Sequence, residues 1–366
     1  MNKNVKRYIR SAITNIMITV QEALAFVETE AKPLNAKKVK LPKALGLVLA
    51  ENVHSPINMP PFRQSNMDGY ALNAHGENTY SVIGEVKAGD APSISLKPGE
   101  AVRIFTGAMV PESANTVVMQ ETVILSGGTI TVETQPQPGA NIRNEGEQAK
   151  KGDLVLSSGC ILNEAALGFL ATLGFTKIRA FPKPKVDIIT TGNELQKAGT
   201  KLKPGKVFES NSLMLEMALK RMGVEEVSVF KVKDDFFKTY KAIQQALKKA
   251  DVVLISGGIS VGDYDFVEEA LLYSKVFPVF YKVNQKPGKP LWFGKKGKRC
   301  VFALPGNPAS GLTCFYMYVL PLLKKLMGHE KIHLSQQTAK ASQAINNTTG
   351  KHLFLKGIVE NGEAKV

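Results

Sequence analysis

Residues 250–265 read ADVVLISGGISVGDYD, Ala250 to Asp265, and the fold is decided by how this stretch is read. Val252 to Ile255 form an unbroken short apolar run, which suits a strand buried on both faces of a parallel sheet. Gly257 and Gly258 follow, and without a Cβ they allow a sharp turn and a close approach of backbone to ligand. Successive N–H groups in such a turn can nest an anion. Ser260, Asp263 and Asp265 come next, at the start of a helix expected over 266–272. A phosphate held by the turn would sit beside carboxylates suited to a divalent cation, because Mg²⁺ is commonly bound by one or two carboxylates plus substrate oxygens. The plainer alternative is an ordinary strand–turn–helix with a capping Asp.

The flanking chain alternates strand and helix, which predicts an α/β sheet over 182–328. A strand at 186–190 leads to Thr191-Gly192-Asn193-Glu194. A helix at 211–222 opens on a good cap and ends at Gly223. A strand at 227–232 runs into Asp234-Asp235, and a helix at 240–249 leads back to the opening stretch. Later strands are expected near 276–283 and 300–303, the second ending in Leu304-Pro305-Gly306-Asn307-Pro308 before a long helix at 309–327. Functional loops of such sheets lie outside the carboxyl ends of the strands. Four of the polar stretches fall there, and that coincidence favours a site over ordinary turns.

Upstream, a helix at 20–30 places Leu24, Val27 and Ala31 on one face. A second helix is expected at 42–50, opened by Pro42 and burying Leu45, Val48 and Leu49. Pro56, Pro60 and Pro61 read as a linker into a β-rich module, 57–140, with short runs at 80–86, 101–105, 116–121 and 129–133. Two polar stretches stand out in it, SNMDGY at 65–70 and FTGA at 105–108. Residue type alone leaves Asp68 as a turn residue or a site acid, and Thr106 as a site hydroxyl or one that satisfies its own backbone. A helix at 164–173, ended by Gly174, pairs with the early helices and suggests a discontinuous helical linker domain, 1–56 with 141–181. After Gly328 short alternating runs, 333–341 and 352–359, predict a small C-terminal β-module, 329–366. It is too short for a core of its own and reads as incomplete. The fold class is therefore multidomain, α/β plus β.

At 366 residues the chain predicts two to four domains, and 44% hydrophobic with 22% charged residues is a globular composition. Its formal charge of +15 suits an anionic partner. One Trp and no interleaving of aromatic and basic residues argue against nucleic acid. No run approaches the ~20 apolar residues of a membrane span. Cys160, Cys300 and Cys314 are scattered and odd in number, which fits buried thiols in a reducing, cytoplasmic setting. The basic segment before Glu22 reads as a solvated extension, with Met1 or Met17 as the start.

Glu194, Asp234, Asp235, Asp263 and Asp265 are acids at the strand ends of one sheet. Lys286 and Lys289, in the proline-stiffened run KPGKP, and Ser256 and Ser260 are donors in or near the same loops. Acids that hold Mg²⁺, beside lysines and glycine turns, are what phosphoanhydride chemistry requires, although the lysines also read as solvated turn charge. The five histidines have no metal-ligand spacing.

Seven ordered motifs carry a resemblance: SNMDGYA at 65–71, FTGAMVPESANTVVMQE at 105–121, GANIRNEGE at 139–147, TTGNEL at 190–195, SGGISVGDYDF at 256–266, KPGKPL at 286–291 and LPGNPAS at 304–310. Together they resemble the molybdopterin molybdenumtransferase family, MoeA and the E domain of gephyrin, over nearly the whole chain. The resemblance implies a MogA-like three-layer α/β domain, a homodimer, and insertion of molybdate into adenylylated molybdopterin with Mg²⁺ and release of AMP. It implies Asp68 and Thr106 on a wall shared across subunits, and Glu194, Asp234 and Asp265 as acidic, metal-holding residues. Ser256, Gly257, Gly258 and Ser260 would cradle phosphate or pterin, along with Gly192, Pro305 and Gly306. Lys286, Lys289, Asn307 and Ser310 would face the anionic ligand and molybdate.

Three departures stand out. Gln148 replaces an Asp usual in the family, and Lys351 and Lys356 stand where Arg is common, which keeps charge but loses the bidentate fork. The chain also stops before the family's last serine-containing segment. The expected partners are a second copy, a small anionic substrate and other proteins of molybdenum cofactor biosynthesis, with no nucleic acid and no membrane. The alternatives are a dimeric scaffold of the same fold and a competence-damage-like nucleotide pyrophosphatase.

Overall fold

The protein is described by a computed structural model covering residues 17–259 and 266–366. The chain divides into two compact units, Glu51–Lys177 as one and Ile178–Val366 with the chain up to Ala50 as the other. The helices Val20–Glu30 and Glu164–Thr172 belong to different units.

The larger unit is built on a six-stranded mixed sheet. Its order across the sheet is Val227–Val232, Val186–Thr191, Val252–Ser256, Arg299–Leu304, Trp292–Lys296 and Phe277–Tyr281. The first four strands run parallel, and the last two continue the sheet antiparallel. Val252–Ser256 is central, with Leu254 opposite both Ile188 and Phe302. Its alternate residues enter two cores. Val252 and Leu254 pack with Leu215, Leu219 and Phe315 on one face, and Val253 and Ile255 pack with Ile243, Leu247 and Leu271 on the other. Burial on both faces is why the run has no polar alternation.

Helices Asn211–Arg221 and Val20–Glu30 cover the first face, together with the helical run from Pro308 to Leu326. Phe236–Lys249 and Val267–Tyr273 cover the second. The run from Pro308 is one long helix, as its sequence predicts, but residues Phe315–Val319 form a wide π-helical turn. The N-terminal helix has a capping box in which Thr19 accepts from the Glu22 N–H while Glu22 accepts from the Thr19 N–H.

The helix expected at 42–50 is not formed. Leu41–Lys43 is a single 3₁₀ turn, and Gly46 adopts a φ of +71°, which interrupts any helix. Val48–Leu49 is extended and pairs with Lys177–Phe181, so those two side chains are buried by strand pairing, while Leu45 is exposed. The cap of Asn211–Arg221 also differs from expectation. Ser210 makes no side-chain cap bond, and Glu209 instead accepts from the Ser212 N–H. Near the C-terminus, Lys340–Ala341, Glu363–Lys365 and Ile358–Glu360 form a three-stranded sheet.

The Glu51–Lys177 unit has a six-stranded sheet of its own, which includes the four strands expected from the sequence and adds Gly69–Leu72 and Val123–Ser126. Gly69–Leu72 lies between Glu100–Ile104 and Thr116–Met119. Gly69 is there for close approach rather than for a turn, because a Cβ would lie 1.8 Å from the Val118 carbonyl oxygen. A backbone obstacle cannot be avoided by choosing another rotamer. Gly69→Ala should therefore cost about 3 kcal/mol of stability, the upper end for overpacking, seen as a lower urea midpoint with an unchanged m value. An unchanged midpoint would show that the strands are not so closely held.

Candidate functional site at the strand ends

The connections place a crossing point in the parallel part of the sheet. From Val186–Thr191 the chain goes to its neighbour on one side, Val227–Val232, and then crosses to Val252–Ser256 on the other. Open α/β sheets bind ligands at the carboxyl ends of strands flanking such a reversal. In this unit a cleft of about 390 Å³ lies there. Its walls come from the loops after four strands.

The loop after Val252–Ser256 contributes Gly257 and Gly258, with φ of +92° and +62°. A Cβ on Gly257 would come 2.4 Å from the Thr191 carbonyl oxygen, and one on Gly258 would come 2.8 Å from Thr191 Oγ1. Only glycine fits at either position. The loop after Arg299–Leu304 contributes Pro305, Gly306, Asn307 and Ser310. The two loops touch, since a Cβ on Gly306 would lie 3.6 Å from Gly257 Cα. They are also tied by Asn211, whose Nδ2 donates to Ser256 Oγ and to the Gly306 carbonyl, each at 2.8 Å. Asn307 has a structural bond as well: its Oδ1 accepts from the Ser310 N–H at 3.1 Å and caps the helix beginning at Pro308.

The loop after Val186–Thr191 contributes Gly192 and Glu194, and the loop after Val227–Val232 contributes Asp234. The Glu194 carboxylate lies over Gly192, where an added Cβ would come 2.7 Å from both of its oxygens. Asp234 Oδ2 accepts from the Asn193 N–H at 2.9 Å, which joins the two loops, and Lys206 Nζ donates to the Asn193 carbonyl at 2.7 Å. Asp235, its neighbour, caps the helix Phe236–Lys249 by accepting from the Lys238 N–H. Glu209 lines an adjoining cleft with Thr190 and Ser256. Burial pushes its carboxyl up, but the Lys231 ammonium at 2.7 Å and two bonds from Ser212 outweigh that and leave it below the usual carboxylate range.

The site residues named from sequence are placed as follows. Glu194, Asp234, Gly192, Gly257, Gly258, Pro305, Gly306, Asn307 and Ser310 line the one cleft. Ser256 is buried behind it, under Asn211. Lys286 and Lys289 are exposed, on the loop whose Pro290 lines the cleft. Ser260, Asp263 and Asp265 lie outside the described residues. Among the described residues no three acidic, histidine or cysteine side chains gather as a metal cage. Two carboxylates face the cleft, and that donor set fits a cation such as Mg²⁺, which completes its shell with water and substrate oxygens. Asn211 and Thr191 were not singled out as site residues by sequence reasoning. Each has a buried side-chain oxygen without a hydrogen-bond partner among the described residues, Asn211 Oδ1 and Thr191 Oγ1.

Asp68 and Thr106 belong to the Glu51–Lys177 unit and meet there. The Thr106 N–H and hydroxyl donate to Asp68 Oδ1 at 2.7 and 2.8 Å. Arg103 lies close by, its guanidinium about 5 Å from the rings of Tyr70 and Phe105. The bonds from Thr106, with a smaller effect of Arg103, hold the Asp68 carboxyl below its ordinary range.

The comparisons with known proteins agree with this architecture. Residues 18–174 match the family described as MoeA N-terminal region (domain I and II), and residues 187–325 match the probable molybdopterin binding domain. Molybdopterin molybdenumtransferase of Haemophilus influenzae is 37% identical over 360 residues, 96% of this chain and 89% of that one. Molybdopterin molybdenumtransferase 2 of Mycobacterium tuberculosis is 32% identical, over 94% of this chain and 88% of that one. Two solved structures of the MoeA protein of Pyrococcus horikoshii superpose with TM-scores of 0.82 and 0.77, at 31% and 32% identity. Each covers 95% of this chain and 89% of the solved one.

A depressed carboxyl adds stability that is present above its unfolded pKa and lost as pH falls through the folded one. Thr106→Val removes one of the two bonds to Asp68, so carboxyl titration by NMR should show the Asp68 pKa moving up, and the acid-side loss should be smaller and complete at a higher pH. An unmoved titration would contradict the pairing.

Proposed function

Because the chain belongs to the molybdopterin molybdenumtransferase family, we propose that the strand-end cleft binds adenylylated molybdopterin and that the protein inserts molybdate into it, releasing AMP. The observation that carries this reading is the meeting, at one reversal of the sheet, of two glycine turns with the acids Glu194 and Asp234. Backbone at Gly257, Gly258 and Gly306 can approach phosphate or pterin with no side chain in between. Asn211 keeps two of these turns in fixed relation, so that little reorganisation is needed on binding.

Glu194 and Asp234, with Asp265, would hold Mg²⁺, which when bound neutralises phosphate oxygens of the anhydride. Lys286 and Lys289 offer ammonium charge to molybdate and phosphate. Their exposure on a loop that reaches the cleft through Pro290 supports this role. The bond cleaved is the phosphoanhydride between adenylate and molybdopterin phosphate: an oxygen from water or molybdate adds to phosphorus as that bond breaks and AMP leaves. The two dithiolene sulfurs bond molybdenum as molybdate gives up oxygen as water. The reading extends to a homodimer in which Asp68 and Thr106 of a second copy complete the wall, working in the cytoplasm. In support of the latter, the three cysteines are unpaired and, among the described residues, no helix is long and apolar enough to cross a membrane.

Incubation with adenylylated molybdopterin should release AMP only when both molybdate and Mg²⁺ are supplied. Asp234→Asn should lower that rate about tenfold or more, a typical cost of disturbing a metal's surroundings. AMP release that ignores molybdate would point to a pyrophosphatase, and no release at all to a scaffold. Either result contradicts the proposal.

A further inference from the structure

The loop carrying Lys286 and Lys289 rests on a buried polar cluster that the chemistry above does not use. Gln285 is 1% exposed, and its carboxamide is nonetheless engaged at both ends. Nε2 donates to the carbonyls of Pro287 at 3.2 Å and Gly288 at 3.1 Å, and lies 3.5 Å from Cys314 Sγ. Oε1 accepts from the hydroxyl of Tyr318, a side chain that is itself fully buried.

The loop is pressed onto this cluster. Gly288 has a φ of +86°, and a Cβ there would come 2.7 Å from Cys314 Sγ and 2.9 Å from Gln285 Nε2. Burial pushes the Cys314 thiol up to about 12, so it stays protonated and faces the Gly288 carbonyl as a weak donor at 3.7 Å. On either side the backbone is pinned as well, with the Val283 N–H donating to the Lys289 carbonyl and the Phe354 N–H to the Lys286 carbonyl. Tyr318 lies in the π-helical turn Phe315–Val319. Such turns interrupt the α-helical register and concentrate at functional sites.

A buried carboxamide can be flipped or rotated at little steric cost, so hydrogen bonds decide its orientation. With the Tyr318 hydroxyl on Oε1, Nε2 must face the two loop carbonyls. We propose that Gln285 and Tyr318 are positioning residues, whose buried hydrogen bond fixes the Pro287 and Gly288 carbonyls and thereby aims the Lys286 and Lys289 ammonium groups at the oxyanion. The proposal rests on the reading that these lysines face molybdate. It goes beyond it in assigning their geometry to groups that touch no substrate.

The experiment compares the full chain with Lys289→Ala, Tyr318→Phe and the double variant Gln285→Met/Tyr318→Phe. It follows AMP release against molybdate concentration, hydrogen exchange of the Val283 and Phe354 amides, and thermal unfolding. Tyr318→Phe should raise the molybdate KM about fivefold, the factor carried by one neutral hydrogen bond, with little change in kcat. It should also speed exchange at both amides. Gln285→Met also leaves the Pro287 and Gly288 carbonyls without their donor, so the double variant should unfold below the wild-type temperature, with KM and exchange raised at least as far as in Tyr318→Phe when measured well below melting. A role confined to stability would lower the melting temperature of both variants while leaving their molybdate KM and their Val283 and Phe354 exchange at wild-type values, and that result overturns the proposal. A raised KM in Lys289→Ala with a wild-type KM in Tyr318→Phe overturns the positioning role alone. An unchanged KM in Lys289→Ala overturns the lysine reading on which it rests.

Discussion

Gly257 has no room for a side chain, and much of the larger unit follows from that fact. The strands Val186–Thr191 and Val252–Ser256 pair in parallel up to Thr190 opposite Ser256, so the chain leaving Ser256 must pass directly over Thr191. A Cβ at Gly257 would lie 2.4 Å from the Thr191 carbonyl, and one at Gly258 would meet the Thr191 hydroxyl. With glycine at both positions the turn lies flat across the strand ends and leaves a cleft floored by backbone. Asn211 then fixes the neighbouring turn at Gly306, and Asp234 fixes the loop at Asn193, each with a single side chain.

This arrangement separates what is rigid from what is charged. The floor is backbone above a sheet buried on both faces, with Val252, Val253, Leu254 and Ile255 all at 0% exposure. The acids Glu194 and Asp234 come from loops on one side of the central strand, and the lysines come from a loop anchored by Gln285 and Tyr318. Charge is therefore delivered by elements that can be tuned without disturbing the floor. Cys300 and Cys314 stay out of this chemistry: burial raises the Cys300 thiol to about 11 and the Cys314 thiol to about 12, so neither is a ready nucleophile. Cys160, in the other unit, is only partly buried, unlike the buried thiol expected from the sequence.

What could be read from sequence followed local pattern. The run Val252–Ile255 announced a strand covered on both faces, and the polar stretches after 190, 232, 256 and 304 fell at strand ends, as the coordinates place them. Where the reading fell short, long-range pairing was responsible. Val48 and Leu49 carry helix-compatible spacing but are extended because Lys177–Phe181 lies beside them, far away in the chain. Gly69–Leu72 sits inside a polar motif, and its strand character comes from two neighbours that the motif does not contain. Asn211 looked like part of a helix cap, whereas its side chain spans two loops 45 and 95 residues distant. Asp68 and Thr106 were ambiguous one at a time, because each is explained only by the other.

The claim at the centre of this account is that backbone at the sheet reversal grips the adenylylated substrate. Amide hydrogen exchange of the whole chain, with and without adenylylated molybdopterin and Mg²⁺, tests it most directly. Protection concentrated at Gly257, Gly258, Asn193 and Gly306 is the predicted result. Unchanged exchange at these four amides, with protection appearing elsewhere in the chain, would contradict it.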